Sequence, residues 1–198
     1  FLFKFVLDNP AAYSMTGGLA MVAGLIMAPL YPFLNKRNPR RFLYIVGMTS
    51  MIVAYILLGL FSTNMTVVII ALVLFYIPGT LIQMTAILSL TDSIEYGQLK
   101  NGKRNEAVTL SVRPMLDKIA GACSNGIVGA VAIAAGMIGD ATAADMTAAN
   151  IHTFKVCAFY VPLAVIILSG VVFLLKVKIS EKMHADIVEQ LETQLNEG

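Results

Sequence analysis

The chain has 198 residues, 58% hydrophobic and only 13% charged, with a formal net charge of +2 and a mean hydropathy of +0.78. That balance excludes an ordinary soluble domain, and no stretch has the dense basic patterning of a nucleic-acid footprint, so no nucleic-acid partner is expected. Cys123 and Cys157 both stand in apolar runs and read as packing residues rather than as a disulfide or metal pair, so no metal site is expected.

In chain order the apolar runs are long enough to cross a bilayer, about 20 residues each. Residues 1–8 are apolar, lack an initiator Met and stop at Asn9-Pro10. They read as the outer end of a truncated helix, with further helices expected before Phe1. The first full span is predicted over 12–34, with Pro29 and Pro32 near its end, and the second over 42–62. The third is predicted over 65–90, broken at Pro78-Gly79, and the fourth over 108–138. The fifth is predicted over 154–175. Lipid cannot satisfy backbone polar groups, so these spans are helices. Residues 1–178 therefore read as one helical bundle and 179–198 as a separate tail. Small residues recur every four positions at Ala20, Gly24, Ala28, at Gly121, Asn125, Gly129 and at Ala122, Gly126, Ala130. That spacing lets helix backbones approach closely in lipid.

Lys and Arg set the orientation. Loop 34–42 holds Lys36, Arg37, Arg40 and Arg41, loop 91–107 holds Lys100, Lys103 and Arg104, and Lys176 and Lys178 follow the last span. The connections at 62–65 and 139–153 hold neither residue type. The basic loops and the C-terminus are therefore expected in the cytoplasm of a multi-pass plasma-membrane protein. In the tail, Met183, Ile187, Leu191 and Leu195 recur at i, i+4 on an otherwise acidic helix. Its acids disfavour an anionic bilayer surface. It is expected to dock on the cytoplasmic face or lead to a further domain, with His184 as a surface residue.

Charge is concentrated between Thr91 and Lys118. Arg113, Asp117 and Lys118 fall inside the fourth span, where a charge is costly and usually functional. Arg113 and Asp117 are four residues apart and share a helix face. Lys118 sits about 100° round the helix from Asp117, and its ammonium needs a carboxylate, water or substrate hydroxyl. Gln83 and Thr85 are polar positions in the third span, next to the proline break, and Asn125 is another in the fourth. Broken helices with polar side chains near mid-membrane are how transporters build binding sites. An interhelical hydrogen bond is the competing reading for all three. Asp92, Glu95 and Tyr96 close the third span and Glu106 opens the fourth. Acids at a helix C-terminus oppose its dipole, so basic groups of the neighbouring loops are expected to pair with them in a cytoplasmic gate.

These residues carry a resemblance. T-D-S-I-E-Y-G-Q (Thr91 to Gln98), G-K-R-N-E (Gly102 to Glu106) and Lys118 followed by small residues resemble the glycoside–pentoside–hexuronide:cation symporters, a branch of the major facilitator superfamily. T-L-S-V-R-P (Thr109 to Pro114) and Asp117-Lys118 look closest to its lactose and galactoside transporters. The resemblance implies an all-α membrane protein, the C-terminal half of a twelve-helix major-facilitator fold, with five complete transmembrane helices plus the end of another. It implies alternating-access transport of a glycoside, with no cofactor beyond a coupling cation, H⁺ or Na⁺. It further implies a role in sugar and cation coupling for Lys118, and in substrate handling for Lys100, Lys103 and Glu106. The partners implied are a small sugar, membrane lipid, an N-terminal half of the same carrier and a cytoplasmic regulatory domain. Lys103 departs from the branch, which often has His there, and a Lys would not titrate near neutral pH as His does. An enzyme is not expected: His152 and His184 are predicted on opposite sides of the membrane, and no H-E-x-x-H or G-x-S-x-G occurs. A non-transporting scaffold or sensor is the alternative.

Overall fold

The computed structural model describes residues 1–178 and 180–196, with side chains through Thr193. Seven α-helices follow one another: α1 (Ser14–Arg37), α2 (Arg40–Phe61), α3 (Met65–Asn101), α4 (Glu106–Ala134), α5 (Ala148–Lys155), α6 (Val161–Lys176) and α7 (Glu181–Asn196). A π-helical segment, Leu2–Val6, and a 3₁₀ turn, Pro10–Tyr13, precede α1. Five helical stretches are long and apolar enough to cross a membrane: Pro10–Arg37, Arg40–Phe61, Met65–Asn101, Glu106–Ala134 and Ala148–Lys176. The five expected spans are therefore present, with shifted ends. The last begins six residues early, because Thr147 caps α5 with a reciprocal Thr147–Asn150 capping box. It then passes through the π-segment Val156–Tyr160 into α6. Pro162, which has no N–H to offer the preceding turn, is the second residue of α6, one position beyond Val161.

Three expectations are corrected by the backbone. Pro78-Gly79 does not break the third span, since α3 runs unbroken from Met65 to Asn101. Pro78 leaves the carbonyl of Leu74 without its usual donor, and Ser50 of α2 fills that place, its Oγ donating to Leu74 O at 3.0 Å. The two helices come close here because residue 47 is Gly: a Cβ there would stand 2.7 Å from Ile82 Cγ1 and 3.2 Å from Pro78 O. Secondly, Asp92 and Glu95 are not at a helix end. α3 continues past them to Gly102, whose left-handed φ of +67° closes the helix with an N–H to Gln98 O bond. The macrodipole conflict expected there is accordingly absent, since the last turn of α3 holds Lys100 and no acid. Thirdly, the small-residue stripes do not bring helices together within this chain. Gly24, Gly121, Gly126 and Gly129 have open space where a Cβ would stand, and residues 121–130 are exposed throughout.

α3 is the central helix, packed mainly against α2 and α1, while α6 leans on α2. One apolar cluster sits at the end away from the basic loops, around Ala54, Leu58, Val68, Ala71, Phe154 and Phe159. A second joins Met27 and Tyr31 to Leu43 and Leu81. α4 stands apart, with most of its surface bare, and makes its main contacts with α5 and α3.

The tail helix is docked. Ser180 caps it, its Oγ accepting from the Met183 N–H, and α7 lies against α3. Ile187 and Leu191 are buried as the apolar face required, while Met183 stays 38% exposed. The side chain of Leu195, and Glu197, lie outside the described residues.

Candidate functional site

Two groups of polar residues emerge. The first is at the basic end, where α2 starts and α3 and α6 finish. Arg40 Nη1 donates to the buried carboxylate of Asp92. The backbone N–H of Arg40 donates to Glu181 of the tail. Pro39, the N-cap of α2, has no side-chain acceptor, so a carboxylate from α7 supplies the anion that a helix N-terminus favours. His184 Nε2 bonds Glu95 Oε2 and stands 3.4 Å from Asp92 Oδ1. The basic partner expected for Asp92 is thus Arg40 of the 34–42 loop. Glu95 instead meets His184 of the tail, outside both loops, and His184 is thereby corrected from a surface residue. Its side chain is 23% exposed and is wedged between two acids. Sequence reading missed it because His184 falls one position after Met183 of the apolar stripe, and nothing in a single sequence shows that α7 folds back onto α3. A hint lay in the acids Asp92 and Glu95, three residues apart on one face of α3 with too few neighbouring bases of their own.

The other residues expected at this gate are more peripheral. Arg104 Nε donates to Glu106 Oε2 at 2.7 Å and its Nη1 to Gln98 Oε1 at 3.2 Å. The hydrogen bond and negative charge of Glu106 push the Arg104 guanidinium still higher than its ordinary value. Lys100 and Lys103 are exposed and Tyr96 is 38% exposed. Among the described residues neither lysine has a carboxylate partner.

The second group lies along the membrane portion of α3 and α4. A crevice of about 340 Å³ opens between them, lined by Gln83, Ala86 and Leu90 from α3 and Val112, Arg113, Leu116 and Asp117 from α4. Arg113 Nε approaches Asp117 Oδ2 at 3.7 Å, as their i, i+4 spacing requires. Gln83 lies roughly 14 Å along α3 from Asp92 by helix rise, so the crevice is well inside the helix. Lys118 does not line it. It sits on the next face of α4, exposed, roughly 18 Å from the helix start, and without a carboxylate among the described residues. Asn125 is exposed two turns further on.

Thr85 is corrected. It is fully buried, and its hydroxyl is 3.1 Å from the Tyr31 hydroxyl of α1. It is an interhelical hydrogen bond in lipid-spanning structure, a contact of about 0.6–2 kcal/mol, and it is closed to a ligand. Cys123 and Cys157 are free thiols on opposite walls of another, apolar crevice between α4 and α6, about 470 Å³. Cys123 is exposed there rather than packed. No cluster of His, Cys, Asp and Glu able to hold a metal occurs among the described residues.

The Arg40–Asp92 ion pair, the polar crevice residues in the span and the five apolar helices belong to one multi-pass helical bundle. The model of the family described as MFS/sugar transport protein matches residues 1–181. The chain belongs to this family. It is 55% identical to a lactose permease of Leuconostoc lactis over all 198 residues, covering 31% of that relative. It is 50% identical to a lactose permease of Lactobacillus helveticus, again over the whole chain and 31% of the relative. A raffinose carrier protein of Pediococcus pentosaceus is 34% identical over 97% of the chain and 30% of its own length. The chain thus spans about a third of the length of these curated relatives. The all-α class, the multi-pass membrane character and the expected place within a larger helical carrier agree with these matches.

Proposed function

We propose that this chain is the C-terminal helical half of a carrier that moves a galactoside-type sugar together with H⁺ or Na⁺ by alternating access. The observation that carries this reading is the crevice that Gln83 of α3 lines together with the Arg113–Asp117 pair of α4. Gln83 offers both donors and an acceptor, and the pair offers guanidinium and carboxylate, the groups that read sugar hydroxyls. Lys118, on the adjoining face, meets the sugar or a cation-site carboxylate contributed by the other half of the carrier. Charges inside a bilayer need such partners. The names of the relatives, lactose permease and raffinose carrier protein, favour a galactoside.

In this reading the basic end is cytoplasmic, and Arg40, Asp92, Glu95 and His184 form the inner gate that closes in one state and opens in the other. The tail helix belongs to that gate through His184 and Glu181. Asn125, Tyr96, Lys100, Lys103 and Glu106 remain in supporting roles, on the path or at the gate mouth. The test is counterflow of labelled lactose by the full-length carrier in vesicles. Lys118→Ala and Gln83→Ala should each lower it by at least tenfold; wild-type counterflow in both variants would overturn the reading.

A further inference from the structure

We propose that the groove between α2 and α6 is a binding site for one anionic phospholipid, its phosphate held by Arg41, Lys176 and Lys178 and one acyl chain lying along Met48 and Gly170. Two adjoining cavities of about 360 and 270 Å³ open at the basic end of these helices and share Ser89, Phe173, Val177 and Lys178. Their cations are Arg40, Arg41, Lys176 and Lys178, and their only acids are Asp92 and Glu181. Both acids are engaged by Arg40, through its side chain and its backbone N–H. Among the described residues, no carboxylate pairs with Arg41, Lys176 or Lys178. Arg41 gives one N–H to the Leu174 carbonyl at 3.0 Å, which holds the guanidinium at the end of α6 and leaves its other donors open. Three uncompensated cations thus surround a cavity at the level where helices leave the bilayer. Basic pockets between helices at that level hold anionic head groups.

The site continues as an apolar channel. A third cavity of about 200 Å³ shares Tyr44 with the first and runs between Ile45, Met48 and Ile52 on one side and Ile167, Val171 and Leu174 on the other. Tyr44 is stacked on Phe173 at 3.6 Å between centroids, which ties the helices together at the junction. Gly170 forms part of the channel wall, and a Cβ there would stand 3.4 Å from Met48 Cε, in ordinary contact. Between residues 42 and 61 of α2 and between 161 and 175 of α6 there is no charged residue. From Arg41 to Ile52 the channel is roughly 16 Å long by helix rise, close to the hydrocarbon thickness of one leaflet, about 15 Å. A cationic mouth on an apolar channel of one leaflet's depth fits an amphipath with an anionic head. A choline head would bring its own cation to the same mouth, and a free phosphate would leave the channel empty. The inference rests on membrane placement and not on the transport reading; the orientation proposed above only decides which leaflet supplies the lipid.

Native mass spectrometry of the full-length carrier in detergent, titrated with dioleoylphosphatidylglycerol, dioleoylphosphatidylcholine or glycerol phosphate, tests this. The phosphatidylglycerol should be retained at least tenfold more tightly than the phosphatidylcholine, and glycerol phosphate should not be retained. Each basic residue near the surface contributes roughly fivefold. The combined variant Arg41→Gln, Lys176→Gln, Lys178→Gln should therefore lose phosphatidylglycerol to the level of phosphatidylcholine. Lys36→Gln with Arg37→Gln, on the last turn of α1 and outside all three cavities, should leave retention unchanged. Gly170→Leu, which fills the channel with every cation in place, should also weaken retention. Should the triple variant fail to fold, exposed Lys178→Gln alone carries the test, with a loss of roughly fivefold. Equal retention of the two lipids, or unchanged phosphatidylglycerol retention in the cation variants, would overturn the proposal. Binding of glycerol phosphate as tight as that of the lipid would overturn the channel.

Discussion

The charges at the basic end and the charges along α4 are built in opposite ways. Arg40, Asp92, Glu95 and His184 answer one another within the chain, across α2, α3 and α7, and Asp92 is only 5% exposed. Along α4, Arg113 and Asp117 form a loose pair at 3.7 Å with the Asp117 side chain 70% exposed. Lys118 has no carboxylate beside it among the described residues. The first group is a finished lock, and its job is to hold elements of this chain together. The second group presents charge outward from a membrane helix, an arrangement that needs a partner or a ligand to be tolerable in lipid. That contrast is why the transport site is proposed on α4 and its crevice, and the gate at the basic end of the bundle.

The largest effect should come from cutting the lock. Arg40→Ala leaves Asp92 buried without its cation, a change worth about 3 kcal/mol. A clear drop in the thermal unfolding temperature of the full-length carrier in detergent is expected, with much of it recovered in the double variant Arg40→Met, Asp92→Leu. No drop would mean that the lock is open in the resting carrier. A smaller and more selective effect is expected from Glu95→Gln. It weakens the His184 contact without emptying the site, so lactose exchange in vesicles should change several-fold while equilibrium sugar binding stays within twofold. Unaltered exchange would place Glu95 outside the gate. The smallest effect belongs to the scaffold that both regions share. Ser50→Ala leaves the Leu74 carbonyl without a donor beside Pro78 and should lower stability by about 1 kcal/mol, with sugar binding unchanged. A larger loss of transport than of stability would make the proline a moving part instead.

Much of this contrast was legible beforehand. The spans and the Arg113–Asp117 pair follow from hydropathy and helical spacing; that Asp92 would meet a base from the 91–107 or the 34–42 loop was legible too, although the dipole argument for it fails because α3 continues past Asp92. Gln83 was legible as polar, but its position opposite Arg113 depends on how α3 meets α4. Two features escaped and a third stayed open for the same physical reason, that helix–helix contacts are non-local. Ser50 rescues Pro78 from a different helix, so proline alone reads as a break. Thr85 is closed off by Tyr31, fifty-four residues away. His184 is held by a tail whose docking rests on Ile187 and Leu191 meeting α3. The small-residue stripes failed in the reverse sense. Their spacing allows close packing, but packing needs a partner surface, and within this chain the close approaches occur at Gly47 and Gly59, against Ile82 and Tyr160.

Equilibrium binding of a labelled galactoside to the purified full-length carrier, compared between Lys118→Ala and Glu95→Gln, separates the two regions most directly. The expected result is a loss of at least tenfold in affinity for Lys118→Ala and a change within twofold for Glu95→Gln. Wild-type affinity in Lys118→Ala would contradict the assignment of the α4 charges to the sugar and cation site.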